Sequence, residues 1–167
     1  MRTKRTTWKT LKAGDAFSIP LADGRFGIGV VLNHGQEMYL GAYRVALNEP
    51  ALPPDTNALG ELWLVMWSMD EQFYHGKWQV IGRVDVPAYP RPKHVVHSKE
   101  GLVLCDFDRN VLRAADEDVD VAFFGFRKSI SNVAFRKALH CIHGVEDPGY
   151  DHARLGVELA RAREQRD

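Results

Sequence analysis

The stretch Ala16-Phe17-Ser18-Ile19-Pro20-Leu21-Ala22-Asp23-Gly24-Arg25-Phe26-Gly27-Ile28-Gly29-Val30-Val31-Leu32 decides how the rest of the chain is read. Phe17, Ile19 and Leu21 alternate with Ala16, Ser18 and Pro20, the period of two expected of a half-buried strand. Pro20 has no N–H to offer a neighbour, so it marks an edge strand or a strand end. Asp23-Gly24 supplies a turn, because glycine takes positive φ without steric cost, and Phe26, Ile28, Val30 and Leu32 alternate again on the way back. A β-hairpin over residues 16–32 follows. Gly24, Gly27 and Gly29 resemble a phosphate-binding loop only superficially, since no helix N-terminus follows to receive an anion. Glycines inside a strand predict instead the close approach of a ring or another backbone.

Outward from the hairpin, Met38 to Ala46 reads as a third strand, and the prolines between Glu49 and Asp55 forbid regular structure and form a loop. Leu62 to Trp67 is a continuous apolar run too short for a typical helix, which predicts a central strand buried on both faces. A turn at His75-Gly76 and a strand reaching about Val84 come next. Past the prolines at 87, 90 and 92, short strands are expected at His94 to His97, Leu102 to Phe107 and Val121 to Phe126, with turns at 99–101 and 108–110. Only the last quarter has a helical period. Ser131 can cap a helix that buries Val133 or Ala134, Ala138 and Ile142 and closes at Gly144. After a break at Asp147-Pro148-Gly149, a second helix runs from Asp151 to about Arg163, with Leu155, Leu159 and Ala162 on one face. Strands first and helices last predict an α+β fold: a mostly antiparallel curled sheet, or a small SH3-like barrel, with one or two C-terminal helices packed on it.

A chain of 167 residues with 45% hydrophobic content can bury roughly 70% of its unfolded surface without staples. Cys105 and Cys141 lie far apart with no CxxC spacing, so neither a disulfide framework nor a zinc ribbon is suggested, and a reducing compartment fits. Arg2, Lys4 and Arg5 imitate the start of a signal peptide, but no apolar segment follows them. The longest apolar run, Leu62 to Met69, is far short of the roughly 20 residues of a membrane helix, so no membrane partner is expected. Lysine plus arginine and aspartate plus glutamate both total 22, so the molecule offers no net field to draw nucleic acid, and an electrostatic partner must be met by a local patch.

The chemical constellations read as structural. Asp106, Asp108, Asn110 and Glu117 match four ligand places of an EF-hand loop, yet Val111 stands where its turn needs glycine and a strand stands where its helix should enter. His94 and His97, three apart in a strand, face opposite sides, and His140 and His143 on a helix lack the third ligand and general base of a catalytic zinc site. Histidines near that helix end are expected to sit partly exposed, with a favourable dipole contact when protonated. No GxSxG elbow or cysteine nucleophile signature occurs. No catalytic residue, metal site or cofactor is expected. The basic residues Arg2, Lys4, Arg5, Lys9 and Lys12, with Trp8 to stack on a base, motivate an alternative reading as a nucleic-acid-binding small barrel, against which a frayed terminus is the plainer reading. The clearest charge asymmetry is acidic: Asp106, Asp108, Asp116, Glu117, Asp118 and Asp120 fall within fifteen residues.

Trp8 to Leu21, with its Gly14-Asp15, Phe17 and Ile19-Pro20-Leu21, continued by Asp23-Gly24-Arg25-Phe26-Gly27 and Val30-Val31, resembles the immunity protein 26 family of bacterial polymorphic toxin systems. Phe73 to Trp78 and Val80-Ile81-Gly82 are similar to later parts of that family. The resemblance implies a cytosolic, non-enzymatic antidote that binds and blocks a cognate toxin domain, with a flexible basic arm over 1–12 and one immunity-type α+β domain over 13–167. No catalytic residue carries over from it, and the oligomeric state is left open. Tight inhibition calls for a few buried anchors inside a polar rim, so the partner-binding residues nominated from charge and position are Tyr74, Asp116, Glu117, Asp118 and Asp120.

Overall fold

The computed structural model describes residues 9–35, 37–127, 132–145 and 152–166. The hairpin forms where the alternation puts it: β1 (Asp15–Pro20) and β2 (Phe26–His34) pair antiparallel, with Phe17 opposite Gly29 and Ile19 opposite Gly27. The Leu21 N–H donates to the Arg25 carbonyl at 2.8 Å, and Gly24 takes φ 87° in the turn between them. The Asp23 carboxylate accepts from the Arg25 N–H at 3.0 Å and from its guanidinium at 2.6 Å.

That register sets the two apolar rows out of phase. Phe17 and Ile19 share a face with Gly27, Gly29 and Val31, while Ile28, Val30 and Leu32 point the other way. Each row is buried in a different core, and Ala16 and Ser18 are buried as well, so β1 is buried on both faces instead of half-buried. The strand glycines behave as expected. A Cβ on Gly29 would overlap three atoms of the Phe17 ring, so the ring lies flat against the glycine that faces it.

β3 (Met38–Leu47), β4 (Leu62–Ser68) and β5 (Gln79–Arg83) complete a five-stranded antiparallel sheet in the order β4-β3-β2-β1-β5. β4 is buried on both faces at its middle but stands at an edge, not at the centre. An unbroken apolar run reports covered faces and carries no information on how many neighbours a strand has. Its outer edge is met by an antiparallel bridge between Leu64 and Gly156. There the chain rounds the edge: Leu155 is buried in the core on one face and Val157 in the core on the other, which shields a strand that would otherwise invite pairing. A one-turn helix α1 (Glu71–Tyr74) and a turn with Gly76 at φ 69° connect β4 to β5.

A second, three-stranded sheet follows, in the order β6-β7-β8, from β6 (His94–Ser98), β7 (Gly101–Cys105) and β8 (Val111–Ala114). β7 ends two residues before Phe107. Residues 121–126, expected as a strand, hold the helix α2 (Asp120–Phe124), and β8 is the third strand instead. Four apolar residues in a row suit either state, and the reciprocal bonds of Asp116 and Asp120 described below start a helix there. Phe126 contributes a single parallel bridge to Val95.

α3 (Asn132–Ile142) packs on one face of the five-stranded sheet and α4 (Val157–Gln165) on the other. The buried row of α3 is Phe135, Ala138 and Leu139 with Ile142 against it, while Val133 is exposed. Of the row anticipated through Val133 or Ala134, Ala138 and Ile142, the last two pack as expected, and Phe135 takes the place given to the first. α3 closes as expected at Gly144, φ 67°: the Gly144 N–H donates to the Cys141 carbonyl at 3.1 Å and the Val145 N–H to the His140 carbonyl at 2.9 Å. The Arg25 guanidinium adds a bond to the His143 carbonyl at 3.2 Å, tying the hairpin turn to that helix end. The second expected helix is shorter than its pattern, because extended Gly156 separates a 3-10 turn at His152–Leu155 from α4, and Ala162 is exposed. Ser131 and the break at 147–149 lie outside the described residues. Leu11, placed by the sequence in the basic arm, is buried in the first core. The fold is α+β with the C-terminal helices on the larger sheet, and the strands make two open sheets and no closed barrel among the described residues.

Candidate partner-binding surface

The acidic segment divides into carboxylates that hold the structure and carboxylates that face water. Asp106 accepts from the N–H groups of Asp108 and Asn110 at 2.9 and 2.8 Å and from the Asn110 side chain at 2.8 Å; burial pushes its carboxyl up, and these bonds together outweigh it and hold the carboxyl below the ordinary value. Its oxygens therefore build the turn into β8. Asp108 pairs with Arg91.

Asp120 is more deeply committed. Its side chain is 5% exposed and is gripped by both terminal nitrogens of Arg113, at 2.5 and 2.9 Å. The Asp116 N–H also donates to it at 2.8 Å, while the Asp116 carboxylate accepts from the Val119 N–H at 2.8 Å. The two aspartates thus satisfy each other's end of the turn, as in a capping box, and pin residues 115–119 between β8 and α2. The Arg113 bonds first, then the Asp116 N–H, pull the Asp120 carboxyl down to about 2. Asp120 therefore fixes the loop, whereas Glu117 and Asp118 are exposed and their side chains bond nothing among the described residues.

Beside this loop stand exposed apolar side chains. All four residues of β8 are exposed, with Val111 at 63% and Leu112 at 49%, and Val119 is at 53%. Free carboxylates next to exposed aliphatics, on a loop already ordered, are the ingredients of a contact patch with an apolar centre and a charged rim. Tyr74 is also exposed and meets His75 edge-on at 5.3 Å, but it belongs to the β4–β5 connection on the other sheet, with exposed Met69 and Val80 as chain neighbours. The sequence nominations therefore fall in two places. The exposed aliphatics of β8 were not among the nominations, and their signal was a Val-Leu pair stranded among polar residues.

Asp120→Asn is expected to destabilise the protein by about 2 kcal/mol, since it weakens a charge-assisted grip on a nearly buried carboxylate. The folded pKa lies below the unfolded carboxylate's value of about 3.9, so this contribution is complete above about pH 4 and lost as pH falls through about 2. Urea unfolding at pH 7 and pH 2.5 measures both, and a difference under about 0.5 kcal/mol at pH 7 would contradict the assignment.

The histidine pairs do not converge. His94 is buried, while His97 is exposed and stacks on Phe126 at 5.0 Å. Burial first, then the Arg25 charge, lowers the His143 pKa, so the protonated form that would gain from the dipole at the end of α3 is disfavoured. No group of three or more potential ligands is placed to hold a metal ion among the described residues, and no described helix is long and apolar enough to cross a membrane.

The described residues thus make an α+β protein with two open sheets and an ordered, exposed acidic loop. The chain belongs to the Immunity protein 26 family, whose model matches residues 12–108. That match spans the five-stranded sheet through β7 and ends before β8 and the acidic loop. No curated protein and no solved structure matches the chain.

Proposed function

We propose that this chain neutralises a toxin domain in the cytosol by binding it, with no chemistry of its own. The observation that carries the reading is the family match over residues 12–108. Glu117 and Asp118 form the charged part of the contact, Val111, Leu112 and Val119 its apolar part, and Asp116 and Asp120 hold the loop in place. Residues 13–167 act as one immunity unit with the arm before it. A loop ordered before binding suits an inhibitor that must release slowly, since little further entropy is lost on contact. Tyr74 is a second anchor on the other sheet.

The partner is a toxin domain with a basic surface, and any toxin domain found encoded beside this chain is the first to test. Glu117→Lys combined with Asp118→Lys is expected to weaken binding roughly thirtyfold and to flatten its salt dependence, because these two carboxylates steer a cationic partner. Calorimetric titration at two ionic strengths reads both quantities, with Tyr74→Ala titrated alongside. An unchanged affinity and salt slope in the double variant removes the acidic loop from the interface. Failure of the unaltered chain to bind or protect against that toxin removes the reading itself.

A further inference from the structure

Between β4, the start of β6, α2 and α4 lies a cavity of about 650 Å3 that the acidic surface does not use. The volume falls within the range of sites that enclose small molecules. Tyr39, Trp67, Phe124 and Leu159 give it apolar walls, and the charged residues among its described lining are all basic: Lys93, Arg127, Arg154 and Arg163.

Two of its lining residues, His94 and Arg127, carry buried nitrogens without a hydrogen-bond partner among the described residues. His94 is 5% exposed and neither ring nitrogen is bonded there, while in Arg127 it is the Nε that has no acceptor. The Pro92 carbonyl is near enough to favour the protonated ring slightly without meeting hydrogen-bond geometry. Burial dominates, then the charges of Arg127 and Arg109, and the ring is pushed down to about 4, so it is neutral at pH 7 and keeps one N–H to donate. Arg163 spends its Nε on the Phe123 carbonyl at 2.8 Å, and no carboxylate pairs with it among the described residues. Burial and the neighbouring Arg154 lower its pKa, which marks a guanidinium held where its charge is opposed. Buried polar groups without partners are uncommon in folded proteins, and His94 and the Arg127 Nε in one lining, beside an Arg163 that no described carboxylate meets, point to a ligand.

We propose that this cavity binds a small aryl carboxylate, whose two oxygens meet the terminal nitrogens of Arg163 and the N–H of His94 while its ring lies against Trp67 and Leu159. A fork of guanidinium donors fits a planar two-oxygen anion better than a point charge does. The apolar walls take a flat body of two fused rings. The site is separate from the acidic loop, and its loss leaves the reading of the toxin contact untouched.

The test uses the intact chain and 2-naphthoate as probe, with neutral 2-naphthamide and 2-naphthyl phosphate beside it. The naphthoate is expected to bind with Kd below about 1 mM, to raise the Tm in a concentration-dependent way and to shift the His94 ring resonances. The amide should bind at least about tenfold more weakly, because it lacks the charge that Arg163 awaits. Arg163→Gln is expected to lower naphthoate affinity at least about tenfold. Leu159→Phe, which narrows the cavity without touching the cationic wall, should do the same and keeps the test decisive if the arginine variant does not fold. Equal binding of acid and amide, tighter binding of the phosphate than of the carboxylate, or an affinity that neither substitution changes overturns the proposal.

Discussion

Gly29→Ala is expected to destabilise the protein by about 3 kcal/mol, although alanine is ordinarily the better strand residue by roughly 0.5–1 kcal/mol. The cause is the ring across the hairpin. Phe17 pairs directly with Gly29, and a Cβ there would overlap its outer ring atoms. Nor can the ring withdraw, for it is stacked on Trp78 at 5.2 Å and met edge-on by Phe73 at 4.8 Å, and all three are essentially without exposure. A rigid interior transmits one extra carbon as strain, and such overpacking typically costs 1–3 kcal/mol, with this site near the upper end because the neighbour is an aromatic ring held from behind. Against a total stability of roughly 5–15 kcal/mol the loss is large. Phe17→Leu alone should cost about 1–2 kcal/mol, but combined with Gly29→Ala it should recover more than 1 kcal/mol of the expected sum. Urea midpoints of the four proteins give that coupling. Strict additivity, or a Gly29→Ala variant within about 0.5 kcal/mol of the parent, would show that the ring does not depend on the glycine.

The hairpin and this glycine were legible because both are local: a period of two, a turn dipeptide, and glycines where a strand should carry side chains. What the pattern could not carry was which side of the sheet faces water, since the apolar rows of β1 and β2 alternate out of phase and each finds a cover. The same limit explains β4, whose apolar run told of burial and not of its place at an edge that Gly156 closes from nearly a hundred residues away. In α3 the steps of four found Ala138 and Ile142 but, on a helix of 3.6 residues per turn, passed over Phe135 and Leu139, which pack beside them. The acidic loop was visible as charge, but charge alone does not say which carboxylates are consumed. Asp120 and Asp106 are bound up in turns, and only the spacing of Asp116 to Val119 and Asp120 hints at the reciprocal cap. The cavity was not legible at all: Trp67, His94 and Arg163 meet there from three distant segments, and no local pattern joins them.

Arg127→Ala is expected to destabilise the protein by about 3 kcal/mol and, more tellingly, to loosen the three-stranded sheet from the five-stranded one. The two sheets meet at an aromatic cluster in which Trp67 of β4 lies 4.6 Å from Phe107, just past β7, and Tyr39 of β3 lies 5.0 Å from the same ring. Arg127 closes that cluster. Its guanidinium carbon stands 3.5 Å over the Trp67 ring, one terminal nitrogen pairs with Glu37 at 2.9 Å, and the other donates to the Phe107 carbonyl at 3.2 Å. The side chain is only 10% exposed, so water cannot replace those contacts, and removing it takes away a desolvated cation–π contact together with half of an ion pair. Lysine should not restore them, because a point charge can neither lie flat on the indole nor bond two directions at once. Amide hydrogen exchange distinguishes a local from a global effect: in Arg127→Ala the amides of β6 to β8 should exchange roughly a hundredfold faster while those of β1 to β3 change far less. Equal acceleration in both sheets would mean that the sheets do not open separately, and no acceleration in β6 to β8 would mean that the aromatic rings hold the junction unaided. The acidic loop hangs from β8, so its position relative to the large sheet passes through this arginine, and with the loop as the contact proposed above, a variant that loosens the junction should also slow capture of a basic partner.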